Sequence, residues 1–307
     1  MTTAVQDKPA LNIKKIAVVG AGAMGAGIAQ VASAAGVSVI MRDMGDEQLQ
    51  RARKTVDQSL SRVVKKGTIS EADKEKILSN IKTTTELKDL ADADLLIEAV
   101  FEDMAVKKEL FAQLQSIVKP SCIFASNTSS LSVTEMAVVS RRPERFVGLH
   151  FFNPVPVMKL VEVVRTPFTQ DDVFQTAWNV ALHMGKAPIA CKDTPGFIFN
   201  RLIIPYLNEA LWAISEGIGS VDDIDRAMKL GGNMPIGPLA LLDLVGIDVQ
   251  LHACESLLQE FGDPKFRPCP LNRRMVRAGL LGKKTGQGFY DYSQDPPKPM
   301  PLHAILG

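Results

Sequence analysis

Residues 13–191 alternate short apolar runs with longer amphipathic stretches, which predicts strands and helices in turn. Residues 13–19 make a strand, 20–25 a glycine-rich turn, 26–35 a helix of small and apolar residues, and 37–41 a second strand that closes on Arg42-Asp43. Residues 46–66 read as one long helix, with Leu49, Ala52, Val56, Leu60 and Val63 on a single stripe and basic residues elsewhere. Gly67 ends it, and Ser70 with Asp73 predicts a capped helix through 80. Strands over 81–85 and 94–101, a helix over 104–118 and a strand over 122–126 follow, the last running into Asn127-Thr128-Ser129-Ser130. Ser132 and Glu135 have capping-box spacing for a short helix beyond that loop. Such an alternation calls for a parallel sheet covered on both faces.

The next two strands, 146–151 and 159–165, are separated by Asn153, Pro154 and Pro156, which interrupt pairing and predict a hairpin. With the turn centred on Pro156, His150 and Glu162 stand opposite one another. Cross-strand Cβ atoms on one face are about 4.5 to 5.5 Å apart, close enough for the carboxylate to accept a proton from one imidazole nitrogen. The other nitrogen is then an acceptor, as a general base requires. A buried histidine with a satisfied hydrogen bond is the competing reading, and the hairpin alone leaves both open. A slip of one residue would turn the pair to opposite faces. A helix over 171–184 and a strand over 187–191 complete this region.

The texture changes after an elbow at 192–196. Only helical patterns follow, over 197–216, 221–230 behind a Ser220 cap, 238–261 and 272–278, with a proline-rich end at 296–301 expected as a loose tail. The first and third of these helices are apolar around most of their circumference, so a second copy of the chain is the expected cover.

Length and composition narrow the class. A chain of 307 residues suggests about two domains, and 46% apolar with 22% charged residues is ordinary for a soluble protein. A net charge of +1 offers no electrostatic footprint for nucleic acid or an acidic membrane surface. Residues 1–12 carry no leader pattern, and no apolar run is long enough to span a membrane. Cys122, Cys191, Cys254 and Cys269 are scattered without paired spacing, so reduced thiols in a cytoplasmic protein are expected, with no metal site.

Gly20-Ala21-Gly22-Ala23-Met24-Gly25 sits between the first strand and first helix, where such glycines permit a tight turn, close approach of a pyrophosphate, and helix-on-strand packing. Asp43, at the end of the second strand, stands where a carboxylate accepts the ribose hydroxyls of NAD. Arg42 beside it could reach a 2′-phosphate, which leaves NADP open. The predicted fold is therefore α/β: a Rossmann-type dinucleotide-binding domain with an added antiparallel hairpin over 1–194, then an all-α domain for substrate and dimerisation over 195–307.

Several strings now carry a resemblance. Gly25-Ala26-Gly27-Ile28-Ala29-Gln30, Ala125 to Leu131, Gly148-Leu149-His150-Phe151-Phe152-Asn153-Pro154, Lys192 to Phe197, and Gly286-Gln287-Gly288-Phe289-Tyr290 make the chain resemble the L-3-hydroxyacyl-CoA dehydrogenases, short-chain 3-hydroxybutyryl-CoA dehydrogenases in particular. The resemblance covers nearly the whole chain. It implies NAD-dependent, reversible oxidation of an L-3-hydroxyacyl-CoA, with His150 as base and Glu162 as its partner. It further implies that Ser129 and Asn200 contact the substrate oxygens, that Glu102, Lys107 and Asn153 lie along the cofactor, and that Ser59 and Lys66 contact coenzyme A. A hydroxy-acid or sugar-acid dehydrogenase on the same scaffold is the alternative, and it would keep the glycine loop and the His–Glu pair.

Overall fold

A computed structural model describes residues 11–301 and Ile305; residues 1–10, read above as free of a leader, lie outside it. The chain divides into two units, Met1–Phe197 and Ile198–Gly307.

The first unit runs β1 (Lys15–Val19), α1 (Ala23–Ala34), β2 (Ser38–Arg42), α2 (Asp46–Lys65), α3 (Glu71–Ser79), β3 (Ile81–Thr84), β4 (Leu95–Glu98), α4 (Met104–Leu114) and β5 (Ile123–Ser126). It continues through α5 (Val133–Val139), β6 (Phe146–Phe151), β7 (Leu160–Arg165), α6 (Asp171–His183) and β8 (Ala187–Lys192). The strands form one sheet in the order β3-β2-β1-β4-β5-β6-β7-β8. From β3 to β6 neighbours are parallel, because each crossover carries a helix or a long loop. The short proline-bearing turn after β6 forces β7 antiparallel, and α6 then gives β8 the length to return parallel to β7.

Alternation within the buried strands divides the core in two. Ile16, Val18, Val39, Ile97, Leu149 and Val163 face α1, α2 and α6, while Ala17, Val19, Leu96, Phe124 and Phe146 face α4 and α5. The rings of Phe111 and Phe146 meet edge-on there, with centroids 4.7 Å apart. Ser70 and Asp73 form the complete capping box ahead of α3. Ser132 makes only half of one at α5: it accepts from the Glu135 amide, but the Glu135 carboxylate turns instead to Lys108.

The second unit contains α7 (Phe199–Ser215), α8 (Val221–Leu230), α9 (Pro238–Val245), α10 (Ile247–Phe261) and α11 (Pro270–Arg277). The single helix expected over 238–261 is two helices, because Gly246 adopts φ +107, a conformation that ends α9 and that residues with a Cβ rarely adopt. The proline-rich end is also more ordered than expected. Lys298–Pro299 (β10) pairs with Tyr290–Asp291 (β9), adding a two-stranded ribbon to the helices. No described helix is long and apolar enough to cross a membrane.

Candidate active site

The parallel strands bring their carboxyl ends to one edge of the sheet, the place where open α/β sheets hold ligands. Gly20 follows β1 at φ +106, and a Cβ there would lie 2.3 Å from the Ala99 carbonyl oxygen. A Cβ on Gly25 would come within 1.8 Å of the Gly20 carbonyl, so α1 can start against the turn only with glycine at that position. Gly22 differs, since a Cβ there would meet nothing within 4 Å. Space is therefore left open beside the N-terminus of α1, whose N-cap residue Gly22 supplies no side-chain hydrogen bond. The first-turn N–H groups, next to exposed Ala23 and half-buried Met24, make this end a site for an anion.

The Asp43 carboxylate is drawn against the same turn, accepting from the Ala21 amide at 2.6 Å and from Met44 at 2.7 Å. Arg42, the residue that left NADP open, donates its Nε to the Thr85 carbonyl at 3.1 Å. Open glycine cradle, uncapped helix start and carboxylate together fit the pyrophosphate and adenosine ribose of NAD.

On the next two strands from β1 in the sheet order, the ends of β4 and β5 are joined by a buried ionic network. Glu98 is fully buried and accepts from Lys107 at 2.6 Å, from the Val100 amide at 2.7 Å and from the Ser126 hydroxyl at 2.6 Å. Lys107, 1% exposed, also reaches Glu102 at 3.0 Å. Glu102 in turn accepts from the Thr128 hydroxyl at 2.6 Å and the Ser129 amide at 2.9 Å. Burial works to raise the Glu102 pKa, but the Lys107 ammonium, the Thr128 hydroxyl and the Ser129 amide outweigh it and hold the carboxyl below its usual range. Glu102 and Ser129 are thus one assembly, and the Lys107 ammonium is enclosed within it between two carboxylates. An acidic residue closing the apolar run of β4 was the available sign of Glu98, which the sequence reading passed over.

The hairpin register pairs His150 with Glu162 and Phe151 with Val161, centring the turn on Pro156 as expected. His150 Nδ1 lies 2.7 Å from Glu162 Oε2, with Glu162 fully buried and His150 6% exposed. A carboxylate partner places the proton on Nδ1 and makes Nε2 the acceptor. The rings of Phe152 and Phe197 flank the imidazole, at centroid distances of 4.5 and 5.7 Å. Asn127, also passed over as an individual residue, accepts from the Phe151 amide at 2.9 Å and so ties the end of β5 to the strand carrying His150.

Asn153 is exposed just past β6, before a cis bond to Pro154. Ser59 is half-buried on α2, and Lys66, its exposed C-cap, stands seven residues on and hence on nearly the same face. That helix packs on α1, α3 and β3, toward the opposite edge of the sheet from His150. Four strand spacings from β2 to β6 come to about 19 Å, so only a long ligand would touch both. Asn200 lies in the first turn of α7, in the second unit. Among the described residues no cluster of His, Cys, Asp and Glu is suited to a metal ion.

Comparison with known proteins follows the same division. Residues 15–194 match the 3-hydroxyacyl-CoA dehydrogenase NAD binding domain, and residues 196–292 match the 3-hydroxyacyl-CoA dehydrogenase C-terminal domain. A probable 3-hydroxybutyryl-CoA dehydrogenase of Deinococcus radiodurans is 48% identical over 91% of this chain and all of its own length. The 3-hydroxybutyryl-CoA dehydrogenase of Bradyrhizobium diazoefficiens is 45% identical over 94% of this chain and 98% of its own. The crystal structure of an (S)-3-hydroxybutyryl-CoA dehydrogenase from Ralstonia eutropha superposes with a TM-score of 0.89, at 47% identity, covering 92% of this chain and 100% of that one. The chain is an NAD-binding oxidoreductase of the 3-hydroxyacyl-CoA dehydrogenase family.

Proposed function

We propose that the protein catalyses the reversible NAD-dependent oxidation of a short-chain L-3-hydroxyacyl-CoA, 3-hydroxybutyryl-CoA above all, to the 3-ketoacyl-CoA. The observation that carries the reading is the buried His150–Glu162 pair at 2.7 Å on the sheet that also holds the glycine cradle. In oxidation His150 Nε2 takes the proton of the 3-hydroxyl, and Glu162 stabilises the imidazolium through Nδ1–H. In reduction the same imidazolium returns the proton to the carbonyl oxygen. NAD, when bound, supplies the hydride acceptor for C3; the protein supplies alignment, a base and a dry setting. Ser129 and Asn200 hold the substrate oxygens. Glu102 and Asn153 line the cofactor, and Lys107, enclosed beneath, contributes by fixing Glu102. Ser59 and Lys66 take the coenzyme A end.

Two further readings belong with this one. A homodimer is supported by the apolar side chains left open on the second unit, with Leu202 of α7 68%, Leu244 of α9 59% and Val249 of α10 48% exposed. A cytoplasmic setting agrees with four thiols that are free in the folded chain.

The test follows nucleotide absorbance with NADH or NADPH against acetoacetyl-CoA, a longer 3-ketoacyl-CoA and a CoA-free keto acid. NADH with acetoacetyl-CoA is expected to give the highest kcat/KM, and charge reversal at Lys66 to raise KM for the thioester. Equal or faster turnover of the CoA-free acid would replace this reading with a hydroxy-acid or sugar-acid dehydrogenase.

A further inference from the structure

Lys186, just ahead of β8, is buried with 7% of its surface exposed, yet no carboxylate among the described residues pairs with it. Its ammonium is instead directed into the turn of the catalytic hairpin, donating to the carbonyl of Val155 and, at 2.9 Å, to that of Met158. Those carbonyls bracket the tip of the segment joining His150 to Glu162. The turn closes on itself through the Pro154 carbonyl, which accepts from the amides of Val157 at 2.9 Å and Met158 at 3.0 Å. On its other side the Val155 side chain is pressed against α1 at Gly27, where an added Cβ would lie 2.8 Å from the Val155 Cβ. Val155 is thus held through its carbonyl by Lys186 and through its side chain by the helix that starts at the nucleotide cradle. Enclosing an ammonium here is unfavourable: burial, with Lys159 nearby, lowers its pKa to about 8. A methionine would fill comparable volume without that cost, yet the position carries a charge whose only hydrogen-bond acceptors among the described residues are the two turn carbonyls.

We propose that Lys186 is a positioning residue for proton transfer, fixing the hairpin turn between the cofactor helix and the His150–Glu162 pair so that the imidazole keeps its register and aim. This rests on the assignment of His150 as the base. Charge-assisted bonds to carbonyls are about twice as strong as neutral ones, which suits a bracket that must resist movement of a short, proline-bearing turn. Lys186 touches neither the imidazole nor the carboxylate, so its effect reaches them only through the backbone.

The experiment compares wild type, Lys186→Met and His150→Ala for thermal midpoint, NADH affinity by fluorescence titration, kcat and KM with acetoacetyl-CoA, and the His150 titration by NMR. Lys186→Met is expected to lower kcat at least tenfold and to change the NMR response of the His150 imidazole, with NADH affinity within about threefold of wild type. Unchanged kcat and an unchanged His150 titration, with only a lower midpoint, would make Lys186 a purely structural residue and overturn the proposal. Near-full turnover of His150→Ala would instead remove the underlying assignment, whatever Lys186→Met does. If Lys186→Met does not fold, Lys186→Gln, which retains an amide donor, and Gly27→Ala, which pushes Val155 from the opposite side, take its place. A tenfold loss of kcat in a folded form of either supports the bracket, and wild-type kcat in both overturns it.

Discussion

Lys107→Met is the sharpest probe of the network beneath the cofactor loop. The wild-type ammonium, 1% exposed, is shared between Glu98 at 2.6 Å and Glu102 at 3.0 Å, and Glu98 itself has no solvent contact. Methionine approximates the stem but leaves Glu98 buried with only the Val100 amide and the Ser126 hydroxyl to satisfy it. Breaking one side of a buried pair costs roughly 3–5 kcal/mol because the surviving charge is uncompensated. For a unit of this size about 2–4 °C accompany each kcal/mol, so the midpoint should fall by roughly 6–20 °C. One further result identifies the charge as the cause. Adding Glu98→Gln to Lys107→Met should restore most of the loss. Calorimetric unfolding of the three proteins makes the measurement. A loss below about 1 kcal/mol, or a double variant no better than the single one, would refute the reasoning.

Three more outcomes follow from particular positions. Gly22→Ala should keep the wild-type midpoint, since its Cβ meets nothing within 4 Å, while NADH affinity measured by fluorescence falls; wild-type affinity would show that the open space is not a phosphate cradle. Gly25→Ala should lose both stability and NADH binding, because its Cβ would lie 1.8 Å from the Gly20 carbonyl oxygen; a stable, binding-competent variant would contradict that packing. Asp243 in the second unit is raised by burial from 3.8 to about 6, against hydrogen bonds from Phe289, Tyr290 and Tyr292. Its contribution to stability is therefore full below about pH 4 and is lost as pH rises through 6, a change of about 3 kcal/mol. The stability of wild type relative to Asp243→Asn, from urea unfolding, should decline over that window, and a rising difference would reverse the argument.

The glycine turn and the hairpin were readable because each depends on local chemistry. Positive φ requires glycine at position 20, and two prolines flanking Val155 fix where the β6–β7 turn must lie and hence which residue faces Glu162. The ion network was less readable, for a physical reason. Lys107 has the charge of a solvated helix residue and the spacing of one, and only the fold reveals that β4 aims Glu98 beneath it. Lys186 is hidden in the same way, since its acceptors are main-chain carbonyls some thirty residues earlier in the chain. Gly246 was masked by apolar residues on both sides, whose helical periodicity continues across the break. The ribbon of β9 and β10 is only two residues per strand, and a proline within it gives no strand pattern to detect.

The central claim is that His150 moves the proton. The direct measurement is steady-state turnover of acetoacetyl-CoA by His150→Ala, with NADH binding followed separately by fluorescence. A fall in kcat of roughly 10²- to 10⁴-fold with NADH affinity and thermal midpoint retained is expected. Near wild-type turnover by the folded, NADH-binding variant would contradict the account and return His150 to the role of a satisfied core histidine.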